Sequence, residues 1–316
     1  MKKVLITGAL GQIGSELAIK MRGLYGNDNV VVSDLSDKGP KEIINGGPFE
    51  VLDVTDGEKF AEIVKKYEIN HIVHLAALLS AVAEDKPNLA WDVNMGGLYN
   101  ALEICRETGA SLFTPSSIAA FGPTTPPDLT PQNTIQRPTT MYGVTKVAGE
   151  ILCDYYAQKF GVDVRGVRYP GLISYQTLPG GGTTDYAVHI FYDAITKGEY
   201  TSFIAEGTKM DMMYMPDALD AIIDLAEADE SRLVHRNAFN ITAMSFAPED
   251  LAAEIKKHIP HFEMKYDVDP KRQAIADSWP NSLDDSCARE EWDWDPKYNL
   301  ELMVKDMLEK LSEKLK

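Results

Sequence analysis

Two hydrophobic periods alternate through the first 115 residues. Short apolar runs at Val4-Leu5-Ile6, Val30-Val31-Val32, Val51-Leu52, Ile72-Val73 and Leu112-Phe113 read as buried strands. Between them, apolar residues recur at helical spacing: Leu17, Ala18 and Met21, then Phe60, Ile63 and Val64, then Leu89, Val93, Leu98, Leu102 and Cys105. The pattern predicts strands over 3–7, 30–34, 49–54, 71–77 and 111–114, with helices after residue 11, over 57–67 and over 88–108. Strand alternating with helix implies an α/β protein built on a doubly wound parallel sheet. Gly96 and Gly97 interrupt the helix predicted at 88–108, which marks a place of close packing or function.

Residues 123–138 are rich in proline and threonine and read as a loop over the sheet edge. A helix over 142–160 and a sixth strand over 162–168 follow. Next, 169–185 reads as a loop containing three consecutive glycines, Gly180 to Gly182, suited to motion or to a closely held ligand. Beyond it the alternation is irregular. Helices are expected at 186–197, 216–228, 248–258 and 300–315, and short strands at 200–204, 212–215 and 238–241. The division expected is a nucleotide-binding part, 1–171 plus about 212–242, with a smaller interleaved C-terminal lobe from about 172–211 and 243–316.

The turn after the first strand carries the first chemical signal. Gly8, Gly11 and Gly14 lie between strand and helix, where free helix N–H groups face an anion. Gly8 permits a tight turn, Gly11 lets a pyrophosphate approach, and Gly14 lets helix and strand pack closely. The spacing is G-x-x-G-x-x-G, one residue longer in its first step than the common dinucleotide fingerprint. A plain strand–helix turn is the alternative. Asp34 ends the second strand, 20 residues beyond Gly14. An acid there accepts hydrogen bonds from the adenosine ribose and repels a 2′-phosphate, which points to NAD. Asp53 followed by apolar Val54 suits an adenine pocket, and the small Ala76 and Ala77 let a ligand pass the fourth strand's end. The expected fold is therefore of Rossmann type. His71 and His74 share a strand face without a partner acid or cysteine nearby, so they read as structural, and no metal is expected.

Composition narrows the class. The chain has 316 residues, 44% hydrophobic, enough for a substantial core. Its net charge of −17 disfavours a nucleic-acid partner. No apolar run approaches the ~18 residues of a membrane span. The chain opens directly on a strand, and its three cysteines have no C-x-x-C spacing, so a cytoplasmic protein with reduced thiols is expected.

Tyr142 and Lys146 open the long helix four residues apart, on one helical face. A lysine ammonium nearby favours a phenolate, making Tyr142 a plausible base for an alcohol proton. Ser116 and Ser117 follow the fifth strand, at the sheet end where such folds place active sites. Ser117, 25 residues before Tyr142, is preferred over Ser116 as the group touching the reacting oxygen.

With these pieces in order, the sequence resembles the extended short-chain dehydrogenase/reductase family. The matching residues are Gly8-x-x-Gly11-x-x-Gly14, Asp34, Asp53-Val54, Leu75-Ala76-Ala77, Asn94, Ser116-Ser117, Tyr142-x-x-x-Lys146 and Arg168-Tyr-Pro-Gly171. The resemblance implies that Ser117 and Tyr142 bind the reacting oxygen, that Lys146 holds the nicotinamide ribose, and that Asn94 positions the lysine through water. It also implies NAD contacts from Gln12, Ile13, Leu35, Tyr169, Pro170 and Leu172, and a homodimer through the helices near 88–108 and 142–160. The run from Arg168 to Tyr186, Ala276-Asp-Ser-Trp-Pro280, Leu79-Ser80 and Ile118-Ala-Ala-Phe-Gly-Pro123 further resemble the short-chain L-threonine 3-dehydrogenases. That implies a small-molecule substrate, L-threonine, held by Ser80, Ser116, Ser117, Tyr142, Gly182, Thr183, Thr184 and Asp185, with Trp279 as an apolar lid. For Trp279 the plainer reading is a core residue, and for Asp185 an exposed loop acid. Two other functions compete: a nucleotide-sugar epimerase, dehydratase or reductase of the same fold, and a non-catalytic dinucleotide sensor.

Overall fold

The computed structural model describes residues 3–177 and 182–316. Two compact units divide them. The first runs through residue 120 and adds 140–168 and 221–239. The second comprises 121–139, 169–220 and 240–316.

The first unit is the doubly wound part. Its strands are β1 (Val4–Thr7), β2 (Val30–Asp34), β3 (Phe49–Val51), β4 (His71–His74), β5 (Ser111–Phe113) and β6 (Val164–Arg165). They form one sheet in the order β3-β2-β1-β4-β5-β6. Every pairing is parallel. The register sets Thr7 beside both Ser33 and His74, so three strand ends share one edge of the sheet. The order reverses at β1, and ligands of such sheets bind outside the strand ends at that point.

Helices α1 (Gln12–Tyr25), α2 (Gly57–Lys66), α3 (Gly97–Thr108) and α4 (Met141–Phe160) belong to this unit. On one face Phe60, Ile63, Leu98, Leu102, Cys105 and Cys153 pack against Leu5, Val31, Ile72, Leu112 and Val164. Each such side chain contributes about 1.5–3 kcal/mol by leaving water. The helix expected over 88–108 is broken into three pieces: a short helix Pro87–Trp91, a π-turn Asp92–Gly96, and α3. A Cβ at Gly97 would come within 2.7 Å of Val54 Cγ2, so the glycine allows α3 to sit against β3's exit.

The second unit has its own core. A three-stranded sheet orders β10 (Met244–Phe246), β9 (Met210–Tyr214) and β7 (Gly171–Ile173). A separate parallel pair joins β8 (Glu199–Ser202) to β11 (Glu263–Tyr266). Helices α5 (Tyr186–Thr196), α6 (Pro248–His258) and α7 (Leu300–Lys314) bury Tyr186, Phe191, Leu251, Ile255, Met303 and Met307 with Met212 and Tyr214. The sequence pattern missed β7, β10, β11 and the helices Pro270–Ala276 and Ser286–Trp292. These elements are short, so too few periods fit inside them to signal a strand or a helix. The segment read as a loop over 169–185 contains β7 and a 3-10 turn, Thr183–Asp185. Gly180 and Gly181 lie outside the described residues. No helix among the described residues is long and apolar enough to cross a membrane.

Candidate active site

The glycine turn is built for close approach. Gly8 has φ +69°, and a Cβ there would meet the Ala76 backbone nitrogen at 2.7 Å. A Cβ at Gly14 would run into the Gly8 carbonyl oxygen, and Gly11 N donates to that same oxygen at 3.1 Å. The turn thus folds on itself and against the strand β4 exit, with Gln12 and Ile13 opening α1 behind it. Gln12 Nε2 is buried without a hydrogen-bond partner.

Asp34 does two things. Its Oδ2 accepts from Leu10 N at 2.9 Å and its Oδ1 from Leu35 N at 2.8 Å, which ties the glycine turn to the end of β2. Carboxylate oxygens keep further lone pairs for a ribose. Asp53 is exposed, and its Oδ1 accepts from Thr55 N at 3.0 Å and from Thr55 Oγ1 at 2.7 Å, while Val54 beside it is buried.

A pocket opens at the strand ends, lined by Leu75, Ala76, Ala77, Asn94, Pro115, Ser116 and Lys146. Asn94 sits in the π-turn. Its Oδ1 accepts from Leu78 N at 2.7 Å, and its Nδ2 donates to Leu78 O and to Thr145 Oγ1, both at 3.1 Å. The extra backbone atoms of a π-turn aim this amide inward, a common use of π-turns at functional sites. Lys146 Nζ donates to Pro115 O at 2.8 Å and stands 5.3 Å from the Tyr142 ring centre. Tyr142 lies in the first turn of α4, capped by Thr140 Oγ1, which accepts from Gly143 N at 3.1 Å. Ser117 Oγ accepts from Ala119 N at 3.2 Å. The Ser116 hydroxyl is buried and donates to Glu150. Ser80 opens a short helix, Ser80–Asp85, after β4.

His74 also lines the pocket, with Nδ1 3.0 Å from Thr7 Oγ1. Burial, then the Lys146 charge, push its pKa down to about 3, so the imidazole is neutral.

Within the second unit, Tyr169 is fully buried and donates its hydroxyl to Ala218 O at 2.5 Å. Burial raises its pKa well above the ordinary tyrosine range, so it does not act as an acid. Pro170 leads into β7, where Leu172 pairs with Met213. Asp185 is buried, and its Oδ2 accepts from Gly182 N at 2.5 Å, closing the turn that starts α5. Thr183 is buried too. Thr184 packs where a Cβ on Gly171 would approach its Cγ2 to 2.6 Å. Trp279 is half-buried in the turn after Pro270–Ala276, its N–H donating to Ala276 O at 3.1 Å.

The sequence model of the NAD dependent epimerase/dehydratase family matches residues 4–242. The chain belongs to that family. A relative described as an uncharacterized epimerase/dehydratase, from Staphylococcus haemolyticus, is 59% identical over 99% of each chain. Among solved structures, an L-threonine dehydrogenase from Clostridium difficile is 65% identical with a TM-score of 0.98, covering 99% of this chain and 98% of its own. A monomeric L-threonine 3-dehydrogenase from a metagenome is 44% identical with a TM-score of 0.94, covering 99% and 100%.

Membership makes the protein an NAD-dependent enzyme of this family, and the residues present fit the cofactor. The turn leaves no Cβ between the strand ends and an incoming pyrophosphate, and the orphan Gln12 amide beside it is a donor that an anion satisfies. Sequence reading missed Glu150 and Thr145, which appear only as contacts across the fold. For Glu150 a signal was present: it stands four residues after Lys146, on the same helix face.

Proposed function

We propose that the protein oxidises the 3-hydroxyl of L-threonine to 2-amino-3-oxobutyrate, with NAD⁺ as the hydride acceptor. The observation that carries this reading is the 65% identity to an L-threonine dehydrogenase over 99% of the chain. Bound NAD⁺ would supply the acceptor for the hydride of the threonine β-carbon. The pyrophosphate is assigned to Gly8, Gly11, Gln12, Ile13 and Gly14, the ribose to Asp34 and Leu35, and the adenine border to Asp53 and Val54. Leu75, Ala76 and Ala77 flank the cofactor's path, and Tyr169, Pro170 and Leu172 are assigned to the nicotinamide end.

Tyr142 Oη takes the hydroxyl proton. Lys146, held on Pro115 O, stands with its Nζ 5.3 Å from the Tyr142 ring centre. Ser117 Oγ, which accepts from Ala119 N, keeps its O–H to donate a hydrogen bond to the reacting oxygen. Asn94 holds the β4 exit against α4 through Leu78 and Thr145. Ser80, Gly182, Thr183, Thr184 and Asp185 are assigned to the ammonium and carboxylate of threonine, and Trp279 to exclusion of water.

A homodimer through the helices near 88–108 and 142–160 belongs to the same proposal. Ile151 and Tyr155 on α4 and Tyr99 on α3 are large apolar side chains left 63%, 51% and 50% exposed.

The competing reading is a nucleotide-sugar enzyme of the epimerase/dehydratase family to which the chain belongs. Following NADH absorbance with L-threonine and, in parallel, conversion of UDP-glucose and UDP-galactose by chromatography decides between them. NADH with threonine is expected. No NADH with threonine overturns the proposal.

A further inference from the structure

Helix α4 grips the strand end that carries Ser117 at two points. Lys146 Nζ donates to Pro115 O at 2.8 Å, and one turn later Glu150 Oε1 accepts from the Ser116 hydroxyl. Tyr142, Lys146 and Glu150 are spaced four residues apart, so they stand in one row along the helix. The two residues that precede Ser117 are therefore fixed to the same helix that carries Tyr142.

Glu150 is itself anchored. Arg168 Nε donates to Glu150 Oε1 at 2.9 Å and Arg168 Nη2 to Oε2 at 2.8 Å. Both side chains are more than nine-tenths buried. Asn237 Nδ2 adds a bond to the Glu150 carbonyl at 3.1 Å. A planar guanidinium that holds both oxygens fixes the carboxylate in orientation as well as in place. On the other side Thr114 N donates to Arg165 O at 3.0 Å, and Gly166 lets the two backbones come close, since a Cβ there would strike Thr114 O.

We infer that Ser116 and Glu150, with Arg168 as anchor, are positioning residues that set the Ser117 hydroxyl against Tyr142, and that Ser116 does not touch substrate. The inference deepens the proposed function and rests on its assignment of Ser117 and Tyr142. The physical need is plain. Ser117 must donate a hydrogen bond to the same oxygen from which Tyr142 removes a proton, and a displacement of about 1 Å in such a pair costs on the order of 10²-fold in rate. A hydrogen bond to a carboxylate is among the stronger and more directional bonds available for the task.

A double-mutant cycle tests it. Ser116→Ala removes one bond and leaves the Glu150–Arg168 pair intact. Expected is a fall in kcat of at least tenfold, with KM for NAD⁺ within about twofold of wild type. In a Ser117→Ala background, the same change should alter kcat by less than twofold, because the group it positions is gone. Cofactor titration confirms that each variant folds, and Ser116→Cys goes through the same cycle should Ser116→Ala fail that check. Wild-type kcat in Ser116→Ala overturns the inference. So does a tenfold loss that persists without Ser117, which would mean that Ser116 acts on substrate directly. Turnover of L-threonine by the wild type is measured first. Its absence overturns the proposed function alone, and the cycle is then read with the nucleotide sugar that the wild type converts.

Discussion

Tyr142 illustrates how little a single residue carries alone. The role proposed for it depends on a helix start that Thr140 caps and on a lysine one turn later. Replacing it with phenylalanine keeps the ring and removes only the proton acceptor. Turnover should fall by about 10²–10⁴-fold, the usual worth of a positioned acid–base group, while NAD⁺ titration changes little. Retained turnover would remove Tyr142 from the role of base. His74 yields a prediction of another kind. Its native pKa of about 3 lies below the ordinary 6.5, so the unfolded chain binds a proton where the folded chain does not. The folded state therefore keeps this contribution above pH 6.5 and loses it as pH falls from there toward 3. Melting temperatures between pH 7.5 and 4.5 should decline below pH 6.5, and His74→Gln should flatten that decline. An equal slope in both proteins would show that other groups carry it.

At the scale of elements, the strand ends do the organising. Asp34 ends β2, yet it also receives Leu10 N from the glycine turn, so the residues proposed for ribose and for phosphate are one hydrogen-bonded piece. Asp34→Ser should raise the KM for NAD⁺ and narrow the preference over NADP⁺, since the charge that repels a 2′-phosphate is removed. A wild-type preference for NADP⁺ would contradict the assignment. The alternation of strand and helix was legible because parallel strands are buried on both faces and stand out as apolar runs. The π-turn at Asp92–Gly96 was not, since one extra residue per turn leaves no mark beyond the glycines. It nevertheless decides where Asn94 points.

For the whole molecule, the charge of −17 leaves cofactor phosphates to local N–H groups rather than to a basic surface. The exposed apolar residues of α3 and α4 are the feature that a second copy would cover. Ile151→Glu is expected to convert a dimer in analytical ultracentrifugation to a single chain. A wild-type protein that already sediments as a single chain refutes the homodimer.

What the sequence determined by itself is whatever depends on neighbours along the chain: the strand–turn–helix order, the glycine turn, the acid at the end of β2, and the Tyr142–Lys146 spacing. Those signals are periodic or confined to one turn, so they survive without knowledge of the fold. Tertiary structure decided which serine is committed and which is available. Ser116 and Ser117 are adjacent and identical in chemistry, and only the approach of Glu150, 34 residues away, consumes the hydroxyl of one and leaves that of the other. It likewise made His74 a neutral pocket wall and Asp185 a turn-closing acid, because burial and hydrogen-bond partners belong to the packed chain and not to any short stretch of it.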